Sequence, residues 1–205
     1  MIRRTFLSLA GAAALTIAFQ ATSAVASSPE AARALVQNVS AQVINLIKQP
    51  GTASSKAPRL KAIMEQNLDM RQVAGFALGR YARGANPAQR DRYVAVYSDY
   101  VARIYANRFS EYGGETITVT GAQDVGRKGF FVSSTVNFNG QIVNIGWQVR
   151  ANRAGALKIV DINVDGLSMA ESQRSEFTRM ISELGGDIDA FTAVSYTHLT
   201  LPTKA

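Results

Sequence analysis

Leu157-Lys158-Ile159-Val160-Asp161-Ile162-Asn163-Val164-Asp165-Gly166-Leu167-Ser168-Met169-Ala170-Glu171-Ser172-Gln173-Arg174-Ser175-Glu176-Phe177 contains the join on which the fold turns. Val160, Ile162 and Val164 alternate with polar residues, the two-residue period of a strand with one dry face. Asp165-Gly166 ends that run. A helix beginning at Ser168 follows at once, carrying Phe177, Met180, Ile181 and Leu184. Upstream, Val143, Ile145, Trp147 and Val149 share one face of another strand, and Gly155 lies in the turn between the two. Asn139-Gly140, a strong hairpin signal, joins that strand to one marked by Val132, Val136 and Phe138. Ile117 and Val119 mark the first strand. Asn144, Gln148, Arg150, Lys158 and Asn163 take the opposite faces, so the four strands predict an antiparallel sheet, wet on one side and apolar on the other.

Before the sheet the period is helical. Ser28-Pro29-Glu30 opens a helix with a cap, a first-turn proline and an early acid. Leu35, Val39, Val43 and Ile47 form its stripe, with Val36 and Ile44 beside them, and Gln49-Pro50-Gly51 stops it. A short helix holds Leu60, Ile63 and Met64. Asp69 caps the next, which carries Val73, Phe76 and Ala77 and ends at Gly79. Asn86-Pro87 starts the longest helix, running to about Tyr112. Its apolar face (Tyr93, Val94, Val96, Tyr97, Tyr100, Val101, Ile104, Tyr105, Phe109) covers more than half the circumference, leaving Asp99 and Arg103 as an i,i+4 pair on the polar strip. A face that wide must be covered on several sides or border a cavity. After the sheet, a short last helix holds Ile188 and Phe191. Helices, then a meander, then helices predict an α+β fold: a curved four-stranded antiparallel sheet with helices packed on its dry face, enclosing an apolar pocket.

The two ends read differently from the middle. Arg3 and Arg4 precede an apolar run from Phe6 to Phe19, and Ala24-Val25-Ala26 has the small-residue pattern of a cleavage site. The run falls short of the roughly 20 residues that span a bilayer, so residues 1–26 are expected to be a removed export signal. Arg3-Arg4-Thr5-Phe6-Leu7 also fits a twin-arginine signal, and both export routes stay open. Residues 194–205 show no period continuing the helix before them and read as a non-native extension that holds the single histidine, His198. The rest, 27–193, is one domain large enough for a real core. The formal charge of +7 falls to about +4 without the two ends, and the basic residues are scattered. That pattern does not indicate a nucleic-acid binder, but allows weak, transient attraction to anionic membrane surfaces. With no cysteine, the fold uses no disulfide.

Chemistry is hard to assemble from these residues. Without cysteine, and with His198 in the suspect tail, nucleophile–histidine pairs are unavailable. Zinc would lack ligands beyond carboxylates, and no cofactor is implied. Gly79-Arg80-Tyr81-Ala82-Arg83-Gly84 has neither the preceding strand nor the spacing of a phosphate loop. The best acid pair is Asp161 and Asp165, four apart on one strand face, where paired carboxylates could perform general acid–base work. The same positions suit plain solvated carboxylates. Arg174 and Glu176 suit a helix cap or an exposed salt bridge. A small enzyme using Asp161 or Asp165 therefore stands as the alternative to a binding protein.

Several motifs, in order, run through residues 60–192. They are Gly79-Arg80-Tyr81, Asn86-Pro87, Tyr97-Ser98-Asp99-Tyr100, the stretch Tyr105-Ala106-Asn107-Arg108-Phe109-Ser110-Glu111-Tyr112-Gly113-Gly114-Glu115, Trp147, Lys158-Ile159-Val160-Asp161-Ile162, Asp165-Gly166-Leu167-Ser168 and Gln173-Arg174-Ser175-Glu176-Phe177. In this the chain resembles the MlaC/toluene-tolerance family. The resemblance implies a monomeric periplasmic phospholipid carrier, not an enzyme. It would shuttle lipid between an outer-membrane lipoprotein complex and an inner-membrane ABC transporter complex, maintaining outer-membrane asymmetry. A hopanoid-associated branch, carrying another lipid, is equally compatible. The family's acyl chains lie between curved sheet and helices with the head group exposed. Enclosure matters, because two exposed acyl chains cost on the order of 20 kcal/mol at about 0.8 kcal/mol per methylene. By pattern position the candidate pocket residues are Val73, Phe76, Tyr97, Val101, Tyr105, Val132, Val136, Trp147, Val149, Ile162, Val164, Met169 and Phe177.

Overall fold

A computed structural model describes residues 27–109, 116–138 and 140–200, with side chains as far as 195. The expected export signal, the end of the longest helix near Tyr112, Asn139 and the last five residues lie outside the described residues. The chain runs α1 (Pro29–Lys48), α2 (Ala53–Asn67), α3 (Met70–Ala77), α4 (Pro87–Phe109), β1 (Ile117–Asp124), β2 (Phe130–Phe138), β3 (Gln141–Ala151), β4 (Leu157–Val164), β5 (Leu167–Ser168), α5 (Met169–Glu183) and α6 (Ile188–Thr200).

Helix starts are set by side-chain caps. Ser28 Oγ accepts from Ala31 N–H at 3.1 Å, Asp69 Oδ1 from Gln72 N–H at 3.0 Å and Ser168 Oγ from Glu171 N–H at 3.0 Å. At the head of α4, Asn86 and Gln89 close a reciprocal box, each side chain accepting the other's backbone N–H at 2.9 Å. Each such cap contributes about 1 kcal/mol.

The strands form one antiparallel meander in the order β1-β2-β3-β4-β5. The class is the expected α+β, with one strand more than the four read from the sequence. The extra strand is only two residues long. It exists because Asp165 (φ 47°) and Gly166 (φ 90°) both take left-handed backbone, the two-residue turn whose twist matches a hairpin. It folds Leu167 back onto Val164. A second difference lies in β4. A bulge between Gln148 and Val149 places Ile159, not Val160, opposite Val149, so the dry face of β4 is Ile159, Ile162 and Val164. Ile159 is fully buried and its C=O accepts from Asp69 N–H at 3.0 Å, tying the α2–α3 link to the free edge of β4.

The dry face of the sheet meets α1. Ala32, Val36 and Val39 pack with Val119, Phe130, Val132, Trp147, Val149 and Ile159 in one apolar cluster. The wide face of α4 does not look at the sheet but is wrapped by its fellow helices. Tyr93, Tyr97 and Val101 pack with Val73, Ala77, Phe177, Ile181 and Phe191 of α3, α5 and α6, and Ala106 packs with Leu46, Ala57 and Leu60 of α1 and α2. Asp99, expected opposite Arg103, lies 2.8 Å from Lys61 Nζ on α2. Finally, α6 continues to Thr200, so helical backbone crosses the point at 194 where the sequence showed no continuing period. Among the described residues no helix is long and apolar enough to cross a membrane.

Candidate functional site

The last three turns of α4 and the first half of α5 line a mostly apolar cavity of about 260 Å³. Helical spacing selects its lining. On α4 the rows Tyr100/Ile104/Arg108 and Val101/Tyr105 face inward, each stepping by four. On α5 the rows Ser172/Glu176 and Met169/Gln173/Phe177 face them. The lining is mostly apolar and aromatic; of its polar side chains Arg108, Ser172 and Glu176 are exposed, while Gln173 is half-buried between Met169 and Phe177.

At the inner end the two helices are pinned by side chains. Tyr97 donates its phenol to Gln173 Oε1, and Phe177 sets its edge against the Tyr97 and Tyr100 rings, centroids 6.2 and 5.7 Å apart. Burial drives the Tyr97 phenol far above its ordinary pKa, with Tyr105, Asp161 and Tyr100 adding to it. Burial also raises Tyr105, partly offset by the Arg108 guanidinium, which lies 5.7 Å over its ring. These phenols are therefore neutral hydrogen-bonding groups, unsuited to act as bases near neutrality.

The start of α5 is held by Asp161. Its Oδ1 accepts from Ala170 N–H at 3.0 Å and from Ile162 N–H at 2.8 Å, and its Oδ2 from Ser168 Oγ at 2.6 Å. Asp165, in the β4–β5 turn, accepts from Asn144 N–H at 2.9 Å. Each carboxylate is thus engaged in its own local structure, and the two do not form a facing pair. Among the described residues no cluster of three or more His, Cys, Asp or Glu is placed to hold a metal.

Of the thirteen residues picked by pattern, Val101, Tyr105, Met169 and Phe177 line this cavity. Tyr97 and Val73 are buried in the helical core beside it. Val132, Trp147 and Val149 are buried between sheet and α1, with Ile162 packed against them, while Val136 is buried and Val164 half-buried on the strands. Phe76 is 38% exposed and lies under the Arg174 guanidinium, 4.9 Å from its centroid. The structure therefore distributes the set over two layers. Tyr100, Ile104, Arg108, Ser172, Gln173 and Glu176 were not among the thirteen. Tyr100 and Ile104 already stood on the wide apolar face of α4, whereas Arg108, Ser172, Gln173 and Glu176 continue the i,i+4 rows in polar residues and so read as an ordinary solvated face.

Comparison with known proteins places the fold and the family. The family described as MlaC protein matches residues 37–193. The toluene tolerance protein ttg2D of Pseudomonas putida is 25% identical over 111 residues, covering 54% of this chain and 51% of that protein. The chain thus spans about half the length of this curated relative. A phospholipid-binding protein from Ralstonia solanacearum, solved in complex with a phospholipid, superposes with a TM-score of 0.70 at 24% identity, covering 83% of this chain and 99% of that one. That likeness establishes the fold.

Proposed function

Because this chain belongs to the MlaC protein family, we propose that it is a lipid carrier, enclosing the acyl chains of a phospholipid and ferrying it through the periplasm between outer-membrane and inner-membrane transport complexes. The observation that carries this reading is the cavity itself: a mostly apolar and aromatic lining between α4 and α5, with its charged groups, Arg108 and Glu176, exposed. Hydrocarbon is held by dry surface and needs no nucleophile or metal. The Ralstonia neighbour's bound phospholipid and the toluene-tolerance relative point the same way. The competing reading, a small enzyme with Asp161 or Asp165 as base, loses its footing where Asp161 serves as a cap for α5.

At about 260 Å³ the cavity lies below the roughly 300–1,000 Å³ usual for small-molecule sites. Loading a two-chain lipid therefore requires the cavity to widen beyond this volume. The test is native mass spectrometry of protein purified from a bacterial periplasm. A complex heavier by one or more lipid masses is expected, and a clean apo mass with no uptake from vesicles would defeat the proposal. Ile104→Trp, which fills the cavity from a half-buried position, should cut lipid occupancy severalfold while the far-ultraviolet dichroism stays unchanged.

A further inference from the structure

The rim of the α4–α5 cavity carries two opposite charges, Arg108 from one helix and Glu176 from the other. Both are exposed. Opposite charges lining one opening ordinarily pair with each other or with a neighbour, yet no ion pair among the described residues includes either of them. The Arg108 guanidinium rests on the Tyr105 ring, which orients it without neutralising it. They share one neighbourhood. On the Tyr100 hydroxyl, whose pKa burial raises most, Glu176 pushes upward and Arg108 downward.

A cation and an anion that line one mostly apolar cavity, with no ion pair to either among the described residues, complement an amphiphile whose polar end bears both signs. We propose that Arg108 and Glu176 read a zwitterionic head group, the guanidinium taking the phosphate and the carboxylate taking the amine, so that the carrier prefers zwitterionic to anionic glycerophospholipids. The planar guanidinium fork matches phosphate oxygens in pairs. Glu176 works by exclusion as well as attraction, since a head group with a phosphate and no amine leaves that carboxylate facing uncompensated negative charge. Because both charges are solvent-exposed, the discrimination is modest, about threefold. This inference rests on the carrier reading and names the cargo of the same site.

The experiment offers the purified protein vesicles of equimolar phosphatidylethanolamine and phosphatidylglycerol, then identifies bound lipid by mass spectrometry. Wild type should take the zwitterionic lipid about threefold over the anionic one. Glu176→Gln should bring that ratio to parity, and Arg108→Gln should lower uptake of both lipids. Thermal melts of both variants establish that they fold. A wild-type ratio of one, an anionic preference, or a ratio indifferent to Glu176→Gln overturns the inference and leaves the carrier standing. If wild type takes up neither lipid, the carrier reading itself falls.

Discussion

The indole of Trp147 donates its Nε1–H to Ser134 Oγ at 2.8 Å, with both residues buried, and the hydroxyl passes its own proton toward Ile145 C=O at 3.3 Å. Ser134→Ala would strand the indole donor, so a loss of about 1–3 kcal/mol is expected. The urea midpoint, read from the emission of this single tryptophan, measures it. Tyr93 presents the opposite case. Its hydroxyl is buried among α3, α4 and α6 without a hydrogen-bond partner among the described residues. Tyr93→Phe should therefore leave stability unchanged or raise it by roughly 1 kcal/mol. The same phenol has a pH signature. Burial, then the charges of Tyr97 and Tyr100, raise its folded pKa well above the ordinary 10.0. The unfolded chain releases this proton first, so its contribution is complete below about pH 10 and is lost as pH climbs toward the folded value. Tyr97 behaves alike. Denaturation midpoints between about pH 8 and 11 should fall at the alkaline end, and fall less in Tyr93→Phe.

Among the elements, α5 depends most on one outside group, Asp161. Asp161→Ala removes two acceptor contacts at the head of that helix, to Ser168 Oγ and Ala170 N–H, and one to Ile162 N–H in β4, and a cost of about 2 kcal/mol is expected. Amide exchange at Ala170 and Glu171 should accelerate before that of the rest of the helix. Unchanged exchange there would show that the cap contributes nothing. The sheet holds a tighter constraint at Gly146, where a Cβ would come within 2.9 Å of the Phe131 ring. Gly146→Ala should cost about 1–3 kcal/mol unless that ring is also trimmed, which a double-mutant cycle with Phe131→Ala would reveal as coupling. Much at this scale was legible in the sequence. Ser28, Asp69, Asn86 and Ser168 are caps because each is a short polar side chain directly before an apolar period. The phase of β3 follows from Val143, Ile145, Trp147 and Val149. The phase of β4 was not legible, because Ile159 and Val160 are adjacent and equally apolar. A bulge exchanges one for the other without leaving a mark in the alternation.

For the whole molecule, the amount of buried surface could be read from the sequence, but its partners could not. The dry sheet face and the wide α4 face are each real, yet amphipathicity says only that a surface is covered, not by what. Here α1 covers the sheet, while α2, α3, α5 and α6 surround α4. The candidate cavity was only half legible for the same reason. Val101, Tyr105, Met169 and Phe177 announce themselves by apolarity, whereas Arg108 and Glu176 look like any charged helix surface. Cargo should also alter global stability. A ligand bound only by the folded state at a hundred times its dissociation constant adds about 2.7 kcal/mol. Delipidated protein should melt several degrees below the loaded form, and identical melts would argue against a lipid held within the fold. The covering of the sheet by α1 has one more consequence, for biosynthesis. A chain emerging amino end first releases this amphipathic segment well before β1, β2 and β4, the strands it packs against, have appeared. Until the meander is complete its greasy stripe stays unclaimed, and within the folded domain it is the first segment that a holdase chaperone would grip.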